Sequence, residues 1–206
     1  MQTTKEINQE IAGADSPSRS QDGTKDPVSY MFAFIMATGV RVGELCALEI
    51  GDINREKKYI EITKTAVRFK YNSAGEGSVK ICPPKTEYSY RRIPLSPSVE
   101  DILDKQALLV AEMRIRAGDR WNENTLVFPT GEGNIHDPGS VRSRVERYQK
   151  REGLPYTSIL AARHAYAVAA INSGVAAQDV ARILGVKGYS SQKTADIYRE
   201  RGSRER

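Results

Sequence analysis

Long apolar runs, histidine and cysteine are all scarce in this chain of 206 residues, and charge of one sign is only mildly in excess. No apolar stretch approaches the ~20 residues that a membrane-spanning helix requires. The first segment, Met1 to Asp26, is polar and rich in Ser, Gln, Asp and Thr, which excludes a secretory signal within it. Two cysteines, Cys46 and Cys82, are too few for a disulfide framework. Their apolar helical and strand contexts read as two buried thiols in a reducing cytoplasm. The two histidines are His136, in a turn, and His164, on a late helix; no metal-ligand set and no cofactor motif emerges around them. The net charge of +5 permits nucleic-acid binding without demanding it. The basic excess is concentrated late, with 9 basic and 5 acidic side chains in residues 151–206.

Hydrophobic residues at 39% and charged residues at 28% describe one soluble globular domain. Residues 1–26 lack periodicity and are expected to be disordered, with Asp26-Pro27 opening the folded part. An apolar run from Val28 to Ala37 predicts a buried helix stopping at Gly39, followed by a second helix carrying Glu44, Leu45 and Leu48. Alternation predicts strands at Tyr59–Thr63, Ala66–Lys70, Val79–Cys82 and Arg91–Leu95, forming one small antiparallel sheet with Lys85 on the loop joining the last two. Ser96 or Ser98 should cap a long helix to about Ala117 that buries Ile102, Leu103, Leu109, Val110 and Met113. Further helices are expected at Ser140–Glu152, from Thr157 or Ser158 to Ser173-Gly174, at Ala177–Leu184 and at about Ser191–Arg201. The fold class is therefore α+β, mainly helical, with a small antiparallel β-sheet.

The most informative stretch is residues 38–48, Thr-Gly-Val-Arg-Val-Gly-Glu-Leu-Cys-Ala-Leu. It places Arg41 between two glycines at a break between helices, on backbone that a ligand can approach closely. A guanidinium so displayed suits a phosphate, which it can grip through two parallel N–H donors. Glu44, three residues on, can either orient that guanidinium or simply begin a helix. Further along stand Lys85-Thr86 followed by Arg92-Ile-Pro-Leu95, then Arg163-His164-Ala-Tyr-Ala, then Gly174-Val-x-x-x-x-Val-x-x-x-Leu-Gly185, and last Thr194-Ala-Asp-Ile-Tyr198.

In kind and order these pieces resemble the catalytic domain of the tyrosine recombinases, or phage integrases, including those of conjugative transposons. The resemblance spans residues 28–200. It implies a tyrosine recombinase catalytic-domain fold over 27–206. It also implies site-specific recombination through a 3′-phosphotyrosine, without metal or ATP. Residue by residue it makes Arg41 and Arg163 the clamp on the non-bridging oxygens, Lys85 the general acid and Tyr198 the nucleophile. It implies double-stranded DNA as partner and a tetramer on DNA, from a protein expected to be monomeric without DNA and cytoplasmic in a bacterial or phage setting. Family members carry a helical core-binding domain before the catalytic one. Nothing before Val28 resembles it, so the chain reads as a catalytic fragment or truncated protein.

The family pattern His-x-x-Arg-His is broken here, because Leu160 stands in the first histidine's place. The histidine or tryptophan expected after Leu-Gly is replaced by Val186-Lys187. Leucine cannot move a proton. The enzyme is therefore expected either to cleave more slowly or to have become a DNA-binding module that does not cut. His164, at i+4 from Leu160, and Lys187, beside the missing histidine, stand where compensation could come from, but His164 reads first as a structural hydrogen-bonding residue and Lys187 as a loop phosphate contact or an exposed side chain. Type IB topoisomerase chemistry, which uses a similar side-chain set, is a third reading. The basic helix with Arg142, Arg144, Arg147 and Lys150 is either a DNA-backbone contact or a solvated face.

Overall fold

The computed structural model describes residues 26–69 and 77–186. The expectations for residues 1–25, for Lys70, and for Lys187, the helix at 191–201 and Tyr198 lie outside the described residues.

The central helix α1 (Pro27–Thr38) begins where the sequence places it. The Asp26 carboxylate accepts from Val28 N at 2.9 Å and Pro27 supplies the preset first turn. It ends at Gly39, whose φ of 63° is the left-handed conformation glycine adopts without strain. Val28, Met31, Phe34 and Ile35 line its buried face, and α1 packs against three later helices, which makes it the hub of the core. Phe34 meets Phe128 edge-on at 5.2 Å, so the apolar patch Leu126–Phe128 is an inserted piece of core rather than a surface loop. A short helix, α2 (Val42–Cys46), follows the break at Gly39.

Next come β1 (Ile53–Asn54), β2 (Tyr59–Ile62), β3 (Thr65–Phe69), β4 (Ser78–Cys82) and β5 (Arg91–Pro94). The expected single sheet is in fact two. One is three-stranded in the order β1-β2-β5, and the other is the β3–β4 hairpin, all pairings antiparallel. The period-two pattern is faithful in the first sheet: Ile60 and Ile62 face inward, opposite Ile93 and Arg91. Arg91 is thus a charge at a core-facing position.

Helix α3 (Pro97–Ala117) is capped by Ser96, whose Oγ accepts from Val99 N. Ile102 and Val110, expected inside, are half-buried. Gln106 takes the core position between them and donates to Val127 O at 3.0 Å, anchoring the inserted patch. Helix α4 (Pro138–Arg151) starts two residues earlier than expected because Asp137-Pro138 forms the cap and first turn. Helix α5 (Ile159–Asn172) is capped by Ser158, and α6 (Ala177–Leu184) closes the described chain. Helices α5 and α6 share a small core of their own, made by Ala167, Val180 and Leu184 with Tyr166 and Val186 against it. Cys46 is buried and burial pushes its thiol up to about 12, so it is inert, whereas Cys82 is only half-buried; neither is in a disulfide.

His136 is buried beside Arg144, whose Nη1 lies 3.4 Å from Nδ1. Burial first, then the Arg144 charge, drive its pKa down to about 4, against a smaller opposing pull from the Pro129 carbonyl. Its neutral form is favoured by folding, so its contribution is complete above pH 6.5 and is lost as the pH falls from 6.5 toward 4. The expected loss over that window is about 3 kcal/mol. Urea unfolding at pH 7 and pH 4.5 should show it, and His136→Gln should remove most of the difference.

Candidate active site

Three segments far apart in sequence meet at the C-terminal end of α6. That helix ends in a left-handed glycine, Gly185, with Gly185 N donating to Arg182 O at 3.0 Å and Val186 N to Ala181 O at 3.1 Å. Its last carbonyls point outward at the negative end of the helix dipole, and three arginines answer them in succession. Arg91 Nε donates to Ile183 O at 2.5 Å, Arg163 Nη2 donates to Leu184 O, and Arg41 Nη2 donates to Gly185 O at 2.7 Å. Arg163 also donates through Nη1 to Gly39 O at 2.5 Å. Arg41 and Arg163 are therefore neighbours, held by adjacent carbonyls.

Backbone shape makes this approach possible. A Cβ on Gly39 would lie 2.7 Å from Leu184 Cδ2 and 2.8 Å from a ring carbon of Tyr166. One on Gly185 would lie 2.9 Å from Tyr88 O and 3.3 Å from Arg41 Nη1. Both glycines have positive φ, so each serves the turn and the close packing at once.

Glu44 resolves its two sequence readings by performing both. Its Oε2 accepts from Arg41 N at 2.9 Å, starting α2, and its Oε1 accepts from Arg41 Nη1 at 2.9 Å, orienting the guanidinium. The same carboxylate receives a bidentate pair from Arg91, Nη1 to Oε1 at 2.8 Å and Nη2 to Oε2 at 2.7 Å. Burial works to raise the Glu44 pKa, but the hydrogen bonds and charge of Arg91, then those of Arg41, outweigh it and hold the carboxyl below its ordinary value. The Arg41 side chain stays 40% exposed and Glu44 only 3%. Arg41 thus faces solvent while its support is buried.

Arg91 is the residue that sequence reading missed, since the pattern drew attention to Arg92. Arg92 is exposed and pairs with Glu61. The signal was present: in Arg91-Arg-Ile-Pro-Leu95 the inward alternation of Ile93 and Leu95 carries back to position 91, and a charge there demands a buried counter-charge.

Lys85 is exposed on the β4–β5 loop and makes no ion pair among the described residues. Its loop reaches the arginines three residues later, at the Tyr88 carbonyl beside Gly185. His164 is half-buried on α5. Leu160 lies one turn before Arg163 on α5 and is 64% exposed. Val186 packs into the small α5–α6 core and lines a cleft of ≈ 250 Å³ with Tyr88, Tyr90, Arg182 and Gly185. Burial raises the pKa of the Tyr166 hydroxyl, which disfavours it as a nucleophile. Among the described residues no cluster of three or more His, Cys, Asp or Glu could hold a metal ion, and no helix is long and apolar enough to cross a membrane.

Glu44→Ala would leave Arg91 buried without its counter-charge, and the expected cost is about 3–5 kcal/mol. Equilibrium denaturation should read this as a lowered midpoint. Because the Glu44 pKa is depressed by folding, its contribution is present above pH 4.5 and disappears as the pH drops through the lower folded value.

The profile described as Phage integrase family matches residues 5–204. The chain is 31% identical over 176 residues to a tyrosine recombinase XerC-like protein of Caldanaerobacter subterraneus subsp. tengcongensis, covering 82% of this chain and 44% of that protein. It is 25% identical over 170 residues to the ICEBs1 integrase of Bacillus subtilis, covering 82% and 43%. The chain thus spans about half the length, or less, of these curated relatives. Its fold matches that of the Tn1549 transposon integrase, solved in complex with transposon right end DNA, at a TM-score of 0.68 and 18% identity, covering 99% of this chain and 64% of that one. It also matches the XerA recombinase at 0.63 and 20% identity, covering 100% and 63%.

Proposed function

This chain belongs to the phage integrase family, and we propose that it is the catalytic domain of a site-specific recombinase, occupying residues 27–206, that cuts and rejoins double-stranded DNA. The observation that carries the reading is the convergence of Arg41 and Arg163 on the adjacent carbonyls of Gly185 and Leu184. Two guanidinium groups so placed supply fixed positive charge for the non-bridging oxygens of a phosphodiester, where negative charge grows in the transition state. The Tyr198 hydroxyl gives its proton to water as its oxygen attacks phosphorus, the bond to the 5′-oxygen breaks, and a 3′-phosphotyrosine forms. Lys85, on its exposed loop, delivers a proton to the departing 5′-oxygen. The 5′-hydroxyl of a second end reverses the step, so one phosphoester replaces another. On this reading the domain is monomeric alone, and the whole protein acts as four protomers on two DNA sites.

A nicked suicide duplex tests it. The wild-type chain should accumulate a covalent protein–DNA adduct on denaturing gels, and Tyr198→Phe should abolish it without loss of binding. Leu160 supports a second reading, in which the domain binds and does not cut, because an exposed leucine holds the place from which a proton would be moved. Leu160→His should raise the rate of adduct formation by up to about 10²-fold. Binding with no adduct from either form would leave the binding-module reading standing.

Helix α4 offers the candidate backbone contact. Arg142, Arg147 and Lys150 are exposed on it and make no ion pair among the described residues, while Arg144 turns to His136. If these three side chains meet phosphates, neutralising each by substitution with Gln should reduce the slope of log affinity against log salt by about 1. An unchanged slope would return the helix to a solvated face.

A further inference from the structure

We infer that Arg91 is the positioning residue of the phosphate clamp, holding Glu44 and the end of α6 in one frame and thereby setting where Arg41 and Arg163 present their guanidinium groups. The inference rests on the proposed reading of those two arginines as a clamp.

Arg91 cannot touch DNA itself. Its side chain is 2% exposed, and four of its N–H groups are taken by Glu44 Oε1 and Oε2, Ile183 O at 2.5 Å and Ser89 O at 3.1 Å. Its partners connect directly to the clamp. Glu44 accepts four hydrogen bonds, two from Arg91 and two from Arg41, which fills the capacity of a carboxylate and leaves it no freedom to turn. Ile183 O is the first of the three successive carbonyls, and the next two hold Arg163 and Arg41. A rotation of the Arg91 fork would therefore be felt at both guanidinium groups. Stability alone does not account for such an arrangement, because a buried ion pair is generally matched or bettered by apolar side chains of similar volume. The bidentate fork fixes the plane of the Glu44 carboxylate, which a lysine ammonium or an apolar pair would leave undefined.

The test uses the Tyr198→Phe chain, so that no covalent product accumulates, and a duplex selected by this chain from a random-sequence pool. A neutral methylphosphonate is walked along each strand. The expected result is one position at which losing the phosphate charge weakens binding by about tenfold, the worth of one charge-assisted contact. Arg91→Lys should flatten that peak to less than about threefold while leaving the penalties at flanking phosphates unchanged. A double variant, Glu44→Gln with Arg91→Met, removes both buried charges together and so guards against misfolding of a single substitution. It should also lack the peak. A peak that survives Arg91→Lys, or returns in the double variant, would overturn the positioning role and leave Arg91 as charge balance for Glu44. No peak in the Tyr198→Phe chain itself would instead defeat the clamp reading on which this role depends.

Discussion

The buried carboxylate of Glu44 is the point on which this structure turns. It lies between Arg41 on the break after α1 and Arg91 at the start of β5, and its own helix begins with the hydrogen bond it accepts from Arg41 N. One side chain therefore joins the first helices, the sheet and, through Arg91, the end of α6. Two arginines this close would repel each other strongly away from water. The carboxylate makes their proximity tolerable and dictates its geometry. Arg41 remains partly exposed because Arg91 takes the buried half of the same anion.

The end of α6 plays the complementary part. A helix C-terminus leaves carbonyls without partners and concentrates negative potential there. Guanidinium groups from α1–α2, β5 and α5 satisfy three of them in order, so the helix terminus acts as a template that spaces the arginines. The two positive-φ glycines allow the template to be approached: Gly39 lets Leu184 and Tyr166 close over the end of α1, and Gly185 lets the Tyr88 backbone and Arg41 pack against the turn.

Much of this was legible in the chain, and the division follows physical range. Helix starts were readable because their causes are local: Asp26-Pro27, Ser96-Pro97 and Ser158 each place a capping oxygen within three residues of the N–H it receives. Arg41 and Arg163 stood out in the chain because glycines and alanines surround them, and the structure brings the two onto adjacent carbonyls. The splitting of the strands into a three-stranded sheet and a separate hairpin was not readable, since alternation predicts strands without saying which pair. Gln106 was missed because its role depends on Val127 O, distant in sequence. Arg91 was missed although the alternation of Ile93 and Leu95 carries back to it, because the counter-charge that admits an arginine there, Glu44, arrives from a distant segment.

On the proposed reading, Leu160 stands where a proton-moving residue would be expected, and this separates two contributions that active sites usually combine. Electrostatic stabilisation by fixed donors is generally the larger one, and the two arginines proposed to supply it are held side by side here. General acid–base help contributes ~10²–10⁴ in rate, or about 3–5 kcal/mol. On the proposed cleaving reading, a site with its clamp and without one proton carrier would be slowed by that amount. The exposed face of Leu160 also marks where a proton carrier would stand, one helical turn from Arg163 and open to solvent. A leucine at such a position leaves the buried Glu44–Arg91 frame undisturbed.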